Sequence, residues 1–204
     1  EFPIIPKISN DKNYIVVNAE LFKSALLKTV SAVQISEIRP EISGILLDFQ
    51  LTHFKLVGTD SFRLAEKTIS EKDFKSNFQR GFRVIIPLKT IQEVIRAMGK
   101  GEVGMYIDPN QILFKTDDME IISRLIDGAY PEYEAIIPKE FGSECVVSRE
   151  SFINAVKLVS NVTGKTNDIK LKTKDGGKVL EAYSVNQFIG ENNYLIPAKI
   201  KGNE

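Results

Sequence analysis

The stretch Gly58-Thr59-Asp60-Ser61-Phe62-Arg63-Leu64-Ala65 separates two apolar runs, and the rest of the chain is organised around it. Leu56 and Val57 lead into the stretch, and Leu64 and Ala65 lead out of it. The short side chains of Asp60 and Ser61 can hydrogen-bond to nearby backbone groups, as is typical of tight turns. The stretch therefore predicts a strand–turn–strand corner. Spacing alone favours a plain corner over a ligand site, because turns of this chemistry are common.

A strand–helix–strand–strand–strand pattern surrounds this corner and occurs three times along the chain. The helices are predicted to begin at Asn18, Pro87 and Ser148, residue types that suit helix starts. Apolar residues follow each start at helical spacing. The three stripes are Phe22, Ala25, Leu26, Thr29, Val30 and Val33; Leu88, Ile91, Ile95 and Met98; and Phe152, Ala155, Val156 and Val159.

The predicted strands complete each copy of the pattern. They cover residues 14–17, 44–49, 54–58 and 62–69, then 82–86, 103–107, 111–115 and 119–125, and finally 145–147, 168–172, 179–183 and 194–200. Residues 70–80 are predicted to form a polar loop. A single copy cannot bury both its helix stripe and the apolar face of its sheet, so we expect copies to pack in pairs. The sequence thus predicts an α+β fold in which copies one and two form one domain and copy three lacks a mate.

The composition excludes several classes of protein. Lys and Arg number 27 and Asp and Glu also number 27, so nucleic-acid binding by bulk charge is excluded and any basic surface must be local. The single cysteine, Cys145, cannot form an internal disulfide and fits a reducing compartment. No run approaches the roughly 18 apolar residues of a membrane-spanning helix. We therefore expect a cytoplasmic protein.

A catalytic site finds little support in the sequence. His53 and Cys145 are the only residues of their kinds, so a His/Cys metal set is excluded and no metal is expected. Three turn aspartates could be proposed as an acidic metal cluster: Asp60, Asp117 and Asp118. Each is better explained as a turn residue. Gly99-Lys100-Gly101 lacks the rest of a phosphate-binding loop. A non-enzymatic interaction scaffold remains the alternative to the interpretation given next.

Three segments carry a specific resemblance. Thr59–Ala65 resembles the Thr-Asp-x-x-Arg-Leu-Ala signature of the bacterial DNA polymerase III beta subunits, the replicative sliding clamps. Residues 124–133, Arg-Leu-Ile-Asp-Gly-Ala-Tyr-Pro-Glu-Tyr, followed by Ile136-Ile137-Pro138, resemble the Leu-Ile-Asp-Gly-x-Phe-Pro-Asp-Tyr segment that ends the middle domain of those clamps. Residues 38–44 resemble their Val-Arg-x-x-Leu-x-Gly segment. The matches occur in the order of the family and cover nearly the whole chain.

The resemblance implies a DNA clamp (processivity) fold, with helices on one face and antiparallel sheets on the other. It implies that residues 1–8 are a linker from an absent first domain. Residues 9–140 would then be the complete middle domain, and residues 141–204 the first half of the third domain. The function implied is that of a processivity factor without catalytic activity or cofactor. As a homodimeric ring it encloses duplex DNA and tethers the polymerase III alpha subunit, the clamp loader and other replication and repair proteins.

The resemblance also implies three kinds of site. The partner-peptide pocket would use Arg39, Ile42, Thr59, Ser61, Phe62, Arg63, Leu64, Pro131 and Ile136. The DNA-facing residues would be Lys23, Lys28, Lys89, Arg96, Lys100, Arg149 and Lys157. The ring-closing interface would use Leu158 and Val159. Two departures make the pocket more apolar: Phe62 stands where many clamps have His, and Ala135 where several have Arg.

The residues themselves leave these sites open to plainer explanations. All three predicted helices carry a small excess of Lys and Arg over Asp and Glu, which fits sequence-independent phosphate contacts. Solvated helix faces often carry such residues too. Leu64 and Ile136 could be core residues, and Leu158 could be a single exposed leucine of the common kind.

Overall fold

The protein is described by a computed structural model that covers residues 8, 13–164 and 167–202. All but Ile8 of the predicted linker 1–8 lies outside the described residues. The chain divides into two compact units, Glu1–Glu132 and Tyr133–Glu204. This division precedes the domain boundary predicted after residue 140. No helix among the described residues is long and apolar enough to cross a membrane.

The first unit contains two copies of the predicted pattern. Its elements are β1 (Tyr14–Asn18), α1 (Ala19–Val30), β2 (Gly44–Gln50), β3 (His53–Thr59), β4 (Leu64–Ser70), β5 (Phe74–Ser76), β6 (Phe82–Pro87), α2 (Leu88–Ala97), β7 (Glu102–Asp108), β8 (Gln111–Lys115) and β9 (Glu120–Arg124). Short 3₁₀ helices cover Pro40–Ile42 and Glu71–Asp73. The predicted α+β class is confirmed.

The two copies exchange their first strands. One antiparallel sheet has the order β5-β1-β7-β8-β9, so the first strand of copy one lies beside the strands of copy two. The other has the order β4-β3-β2-β6, in which the first strand of copy two pairs with copy one. The sequence predicted that copies pair, but the exchange shows that they do so through the backbone ladders of both sheets.

The core of the first unit lies between the two helices and the two sheets. The ring of Phe22 on α1 lies 6.4 Å from that of Phe54 and 6.3 Å from that of Phe114, so it joins strands of both sheets. Helix α1 approaches β3 closely at Gly58. A Cβ added there would lie 2.5 Å from the backbone oxygen of Thr29, so only glycine fits without a shift.

The predicted polar loop at 70–80 is wrong, because it contains a 3₁₀ helix and strand β5. The backbone of β5 pairs with β1, and Ser76 Oγ donates a hydrogen bond to the carbonyl of Tyr14 at 2.9 Å. Phe74 packs edge-on against Phe49 and Phe54 of the other sheet. A long-range ladder and one aromatic side chain thus order a segment of polar composition. Three residues are also too few to show a periodicity of two.

The predicted helix starts are confirmed within one residue. Asn18 Oδ1 accepts a hydrogen bond from the backbone N–H of Leu21 at 3.0 Å, which caps α1. Ser148 Oγ accepts one from Ser151 in the same way. Pro87 differs from its predicted place in the first turn, since it pairs with Gly44 as the last residue of β6 and directly precedes α2.

The second unit contains one copy of the pattern. Its elements are β10 (Ser143–Val147), α3 (Arg149–Val159), β11 (Lys170–Lys174), β12 (Val179–Asn186) and β13 (Gly190–Gly202), with 3₁₀ helices at Tyr133–Ile136 and Ser160–Val162. Its small core consists of Ala155, Val159, Leu180, Ala182 and Ile196. Ser184 Oγ, which is buried, donates a hydrogen bond to the carbonyl of Val159 at 2.6 Å and ties β12 to α3.

The sheet of the second unit has the order β10-β13-β12-β11. Residues 190–197 of β13 pair with β12, and residues 198–202 pair with β10. This one strand therefore corresponds to β4 and β5 of the first unit. Among the described residues, β10 and β11 each keep one edge without a ladder. In the first unit, the strands at these positions, β1 and β2, pair with β7 and β6.

Candidate functional site

The β3–β4 corner is built around the carboxylate of Asp60. Its Oδ1 accepts hydrogen bonds from the backbone N–H groups of Phe62 at 3.0 Å and Arg63 at 2.7 Å. Its Oδ2 accepts from Nε and Nη2 of Arg63 at 2.9 Å and 2.7 Å. The predicted turn is therefore confirmed, but strand β4 begins at Leu64 rather than at Phe62, because residues 60–63 are needed to form the corner.

The same hydrogen bonds set the charge of Asp60. The backbone N–H of Arg63, and then its guanidinium, lower the pKa of the Asp60 carboxyl from 3.8 to about 2. The Asp60 carboxylate is thus ionised at neutral pH, and both of its oxygens already accept hydrogen bonds from Arg63. Among the described residues no group of three or more His, Cys, Asp or Glu side chains could hold a metal ion. The described residues therefore give no support to a metal cluster of Asp60 with Asp117 and Asp118.

Thr59 closes the corner from the other side. Its hydroxyl donates to the carbonyl of Arg63 at 2.7 Å and accepts from the backbone N–H of Ser61 at 3.1 Å. Ser61 has a φ of 75°, in the left-handed region. Its Oγ accepts a hydrogen bond from Nη1 of Arg39 at 3.0 Å, and Nε of Arg39 donates to Glu41 at 3.1 Å. The corner is thereby joined to the segment that precedes β2.

That preceding segment is held by the side chains of two serines. Ser43 Oγ donates to the carbonyl of Ser36 at 3.1 Å and accepts from its backbone N–H at 2.8 Å. Ser36 Oγ in turn accepts from the N–H of Arg39 at 3.1 Å. A 3₁₀ turn then places the buried side chain of Ile42 beneath the segment. Arg39 is therefore presented from a loop whose backbone is held at both ends.

The corner and this segment enclose a surface cavity of about 260 Å³. It is lined by Gln34, Ile35, Ser36, Arg39, Ile42, Asp60, Ser61 and Phe62. Four of the predicted pocket residues are among them: Arg39, Ile42, Ser61 and Phe62. Phe62 is 96% exposed, and Ile38, which precedes Arg39 in the sequence, is 93% exposed. Five of the eight lining residues are polar or charged, and the apolar part of the wall comes from Ile35, Ile42 and Phe62. A large apolar side chain as exposed as that of Phe62 is typical of a surface that binds a partner.

The other predicted pocket residues lie elsewhere. Thr59 and Arg63 hold the corner, while Leu64 is half-buried at the start of β4 and does not line the cavity. Pro131 is half-buried near the end of the first unit, and Ile136 is exposed in the second unit. Four lining residues were not predicted: Gln34, Ile35, Ser36 and Asp60. An apolar Ile35 between polar neighbours could have indicated that residues 34–36 contribute to the cavity.

The second family-like segment is tied to the strand that carries the first. The hydroxyl of Tyr130 donates to the carbonyl of Val57 in β3 at 3.3 Å. Burial raises the pKa of this hydroxyl to about 12, so it remains a donor at any physiological pH. The N–H of Ile126 donates to the carbonyl of Ile85 at 2.9 Å. The first unit thus places both segments against its β4-β3-β2-β6 sheet.

The predicted DNA-facing residues differ in how available their charges are. Lys28, Lys89, Lys100, Arg149 and Lys157 are exposed. Lys23 is half-buried, and its Nζ donates to the carbonyl of Met98 after α2 at 3.0 Å. Arg96 pairs with Glu93 on the same helix at 2.9 Å. On α1 and α2, therefore, Lys28 and Lys89 have exposed charges, whereas Lys23 links the two helices through its hydrogen bond to Met98.

The two predicted interface residues are separated by their burial. Leu158 is exposed near the end of α3, whereas Val159 is fully buried in the core of the second unit. Asn192 Nδ2 donates to the carbonyl of Leu158 at 3.1 Å, so the neighbouring β13 is fixed to this end of the helix. Only Leu158 of the pair has side-chain surface to offer a partner.

Comparison with known proteins connects this geometry to one family. Residues 16–132 match the model of the central domain of the DNA polymerase III beta subunit. The beta sliding clamp of Bacillus subtilis is 30% identical over 207 residues, which cover 94% of this chain and 54% of the relative. The chain thus spans about half the length of that relative.

Solved structures agree with the sequence match. The sliding clamp from Bacillus subtilis superposes with a TM-score of 0.91 at 28% identity, over all of this chain and 53% of that one. A sliding clamp from Bartonella birtlesii bound to griselimycin has the same fold, with a TM-score of 0.84 at 22% identity over all of this chain and 54% of that one. The predicted clamp fold is therefore confirmed, and the chain belongs to the DNA polymerase III beta subunit family, the beta sliding clamps.

Proposed function

We propose that this chain is part of a replicative processivity factor, a ring-shaped clamp that encloses duplex DNA and tethers a DNA polymerase. The observation that carries the proposal is the cavity at the β3–β4 corner, which is lined by Asp60, Ser61 and Phe62 of the family signature together with Ile35, Ile42 and three further polar or charged residues. Such a cavity binds short segments of other proteins rather than transforming a substrate. We therefore infer a non-enzymatic protein whose partners are the polymerase III alpha subunit, the clamp loader and other replication and repair proteins.

The helices support a second part of this proposal. Exposed Lys28, Lys89 and Lys100 can make contacts with DNA phosphates, which attract duplex DNA without reading its sequence. A net charge of zero keeps this attraction weak, as sliding requires. We include Lys23, Arg96, Arg149 and Lys157 in the DNA-facing set, with Lys23 and Arg96 contributing less because each already has a protein partner.

The second unit supports the proposed domain organisation. Its strands β10 and β11 occupy the positions of β1 and β2, which in the first unit each take a strand from the other copy. We propose that residues 9–140 are the middle clamp domain and that residues 141–204 are the first half of a third domain, completed by a further repeat. Leu158 then contributes to ring closure in a homodimer, and Val159 supports it from the core. The cytoplasm, where bacterial DNA is replicated, is the expected location.

The cavity is tested by titrating griselimycin into the chain and measuring the heat of binding. Griselimycin is the ligand in the clamp from Bartonella birtlesii. We expect Phe62→Ser to weaken binding about tenfold or more, since the lost aromatic contact is worth roughly 1.5–3 kcal/mol. Phe188→Ser is the matched control, because Phe188 is also an almost fully exposed phenylalanine and lies in the second unit. Equal effects of the two substitutions, or no binding by the wild type, contradict the proposed cavity.

The clamp function is tested by topology on the complete subunit. The clamp loader places the protein on nicked circular DNA at moderate salt, and half of the sample is then linearised. We expect the protein to remain on circles and to leave linear DNA, because a ring can slide off a free end. Equal retention on both forms favours the alternative, a scaffold or a direct DNA binder.

A further inference from the structure

Ser61 adopts a backbone conformation that serine rarely takes. Three non-glycine residues among those described have positive φ, and the other two, Asn167 and Asp175, are of the kind that tolerates it. Serine gains no such tolerance from its side chain, and glycine would remove the strain altogether. A strained residue at a binding surface points to a role for its side chain.

The hydroxyl of Ser61 has a partner that accounts for the strain. Its Oγ accepts the hydrogen bond from Nη1 of Arg39 at 3.0 Å. The carboxylate of Glu41 accepts from Nε of the same guanidinium at 3.1 Å. Two contacts on different edges of a planar group fix its orientation, whereas either contact alone leaves it free to rotate about the other. Arg39 is 45% exposed and lines the cavity, so its orientation decides what the cavity presents to a ligand.

The fixed guanidinium retains hydrogen-bonding capacity. It has five N–H groups, of which Ser61 and Glu41 engage two. Its charge is balanced by Glu41, whose pKa is lowered by its own backbone N–H and by Arg39, so that the carboxylate is ionised at neutral pH. A paired guanidinium gains little from a second carboxylate. The group that fits it best is a neutral carbonyl oxygen, such as that of a peptide backbone.

We propose that Ser61 is a positioning residue, which holds Arg39 so that its remaining N–H groups bind a backbone carbonyl of a partner peptide in the cavity. The proposal rests on the proposed peptide-binding function. It commits to a peptide that offers a backbone carbonyl to Arg39 and an apolar side chain to Ile35, Ile42 and Phe62. The two charged groups of the cavity wall, Arg39 and Asp60, are already paired with Glu41 and Arg63. Ser61 thus acts on affinity through Arg39, without making the main contact itself.

The positioning step is tested without any ligand, by the ¹⁵N relaxation of Arg39 Nε in the chain. The variants are Ser61→Gly, which removes both the hydroxyl and the strain, and Ser61→Asn, which tolerates positive φ and keeps an acceptor. We expect the Nε–H group to be rigid in the wild type and in S61N and mobile in S61G. Because glycine suits this backbone, loss of order in S61G cannot be ascribed to misfolding. An equally rigid Arg39 in S61G overturns the proposal.

The binding step is tested with griselimycin, the ligand of the sliding clamp from Bartonella birtlesii. We expect S61G to weaken its binding about tenfold, equivalent to about 1.4 kcal/mol, and S61N to restore most of the loss. In the background of Arg39→Ala, S61G should have no further effect, as in a double-mutant cycle for coupled residues. Additive losses overturn the proposal. A wild type that binds no griselimycin but shows the expected Nε relaxation overturns the peptide function and leaves the positioning step confirmed.

Discussion

Replacing Asp60 by Asn tests whether the corner is held by charge. The substitution keeps the shape of the side chain and an oxygen that can accept from the N–H groups of Phe62 and Arg63. It removes the negative charge that pairs with the guanidinium of Arg63 at 2.7 Å. D60N is therefore expected to fold and to lose only the charge-dependent part of the stability of the corner.

The pKa of Asp60 sets the magnitude. A fall from 3.8 to about 2, at about 1.4 kcal/mol for each pH unit, gives an upper limit of roughly 2.5 kcal/mol. The side chain of Arg63 is 64% exposed, so solvent screens its part of the interaction. We expect D60N to lower the free energy of unfolding by about 1 kcal/mol at pH 7. Because folding lowers this pKa, the wild-type advantage is complete above about pH 4 and disappears as the pH falls towards 2.

The assay is urea unfolding followed by circular dichroism, at pH 7 and again near pH 2.5, with wild type and D60N compared at each pH. Only the difference between the two proteins is used, so that the general effect of acid cancels. Asp117→Asn, in the exposed turn between β8 and β9, removes the same charge and serves as the control. A difference that is absent at pH 7, or that is as large at pH 2.5 as at pH 7, refutes the inference that the Asp60 charge holds the corner.

Two further predictions concern packing. Gly58→Ala should lower the free energy of unfolding by roughly 2–3 kcal/mol, because the new methyl group clashes with the backbone oxygen of Thr29. Gly99→Ala is the control: no atom lies within 4 Å of its new Cβ, so it should change the free energy of unfolding by less than about 0.5 kcal/mol. Ser184→Ala should destabilise the second unit by roughly 1 kcal/mol in urea unfolding, because the buried hydrogen bond from the Ser184 hydroxyl to the carbonyl of Val159 is lost. Equal effects of the two glycine substitutions, or an unchanged S184A, would contradict these packing arguments.

Local signals predicted most of the regular structure. The caps at Asn18 and Ser148 and the apolar stripes identified the helices, because both depend on residues within a few positions of each other. The corner at Asp60 was predicted for the same reason, since the hydrogen bonds of the Asp60 and Thr59 side chains all fall within four residues. The α+β class was predicted from the number and order of the helices and strands that these local signals identify.

Features that depend on distant residues could not be predicted in the same way. Strand β5 forms because its backbone pairs with that of β1, some 60 residues earlier in the chain. The hydrogen bond that Arg39 donates to Ser61 Oγ spans 22 residues, so the sequence of the corner does not predict it. The burial of Val159 against β12 likewise separates it from its neighbour Leu158, although the two residues are adjacent in sequence.

The exchange of first strands in the first unit also makes its two halves depend on each other. Strand β1 of copy one pairs with β7 of copy two, and β6 of copy two pairs with β2 of copy one, so each sheet contains strands from both copies. A cut or an insertion between the copies therefore separates no independent half, because each half would take a strand of the other's sheet with it.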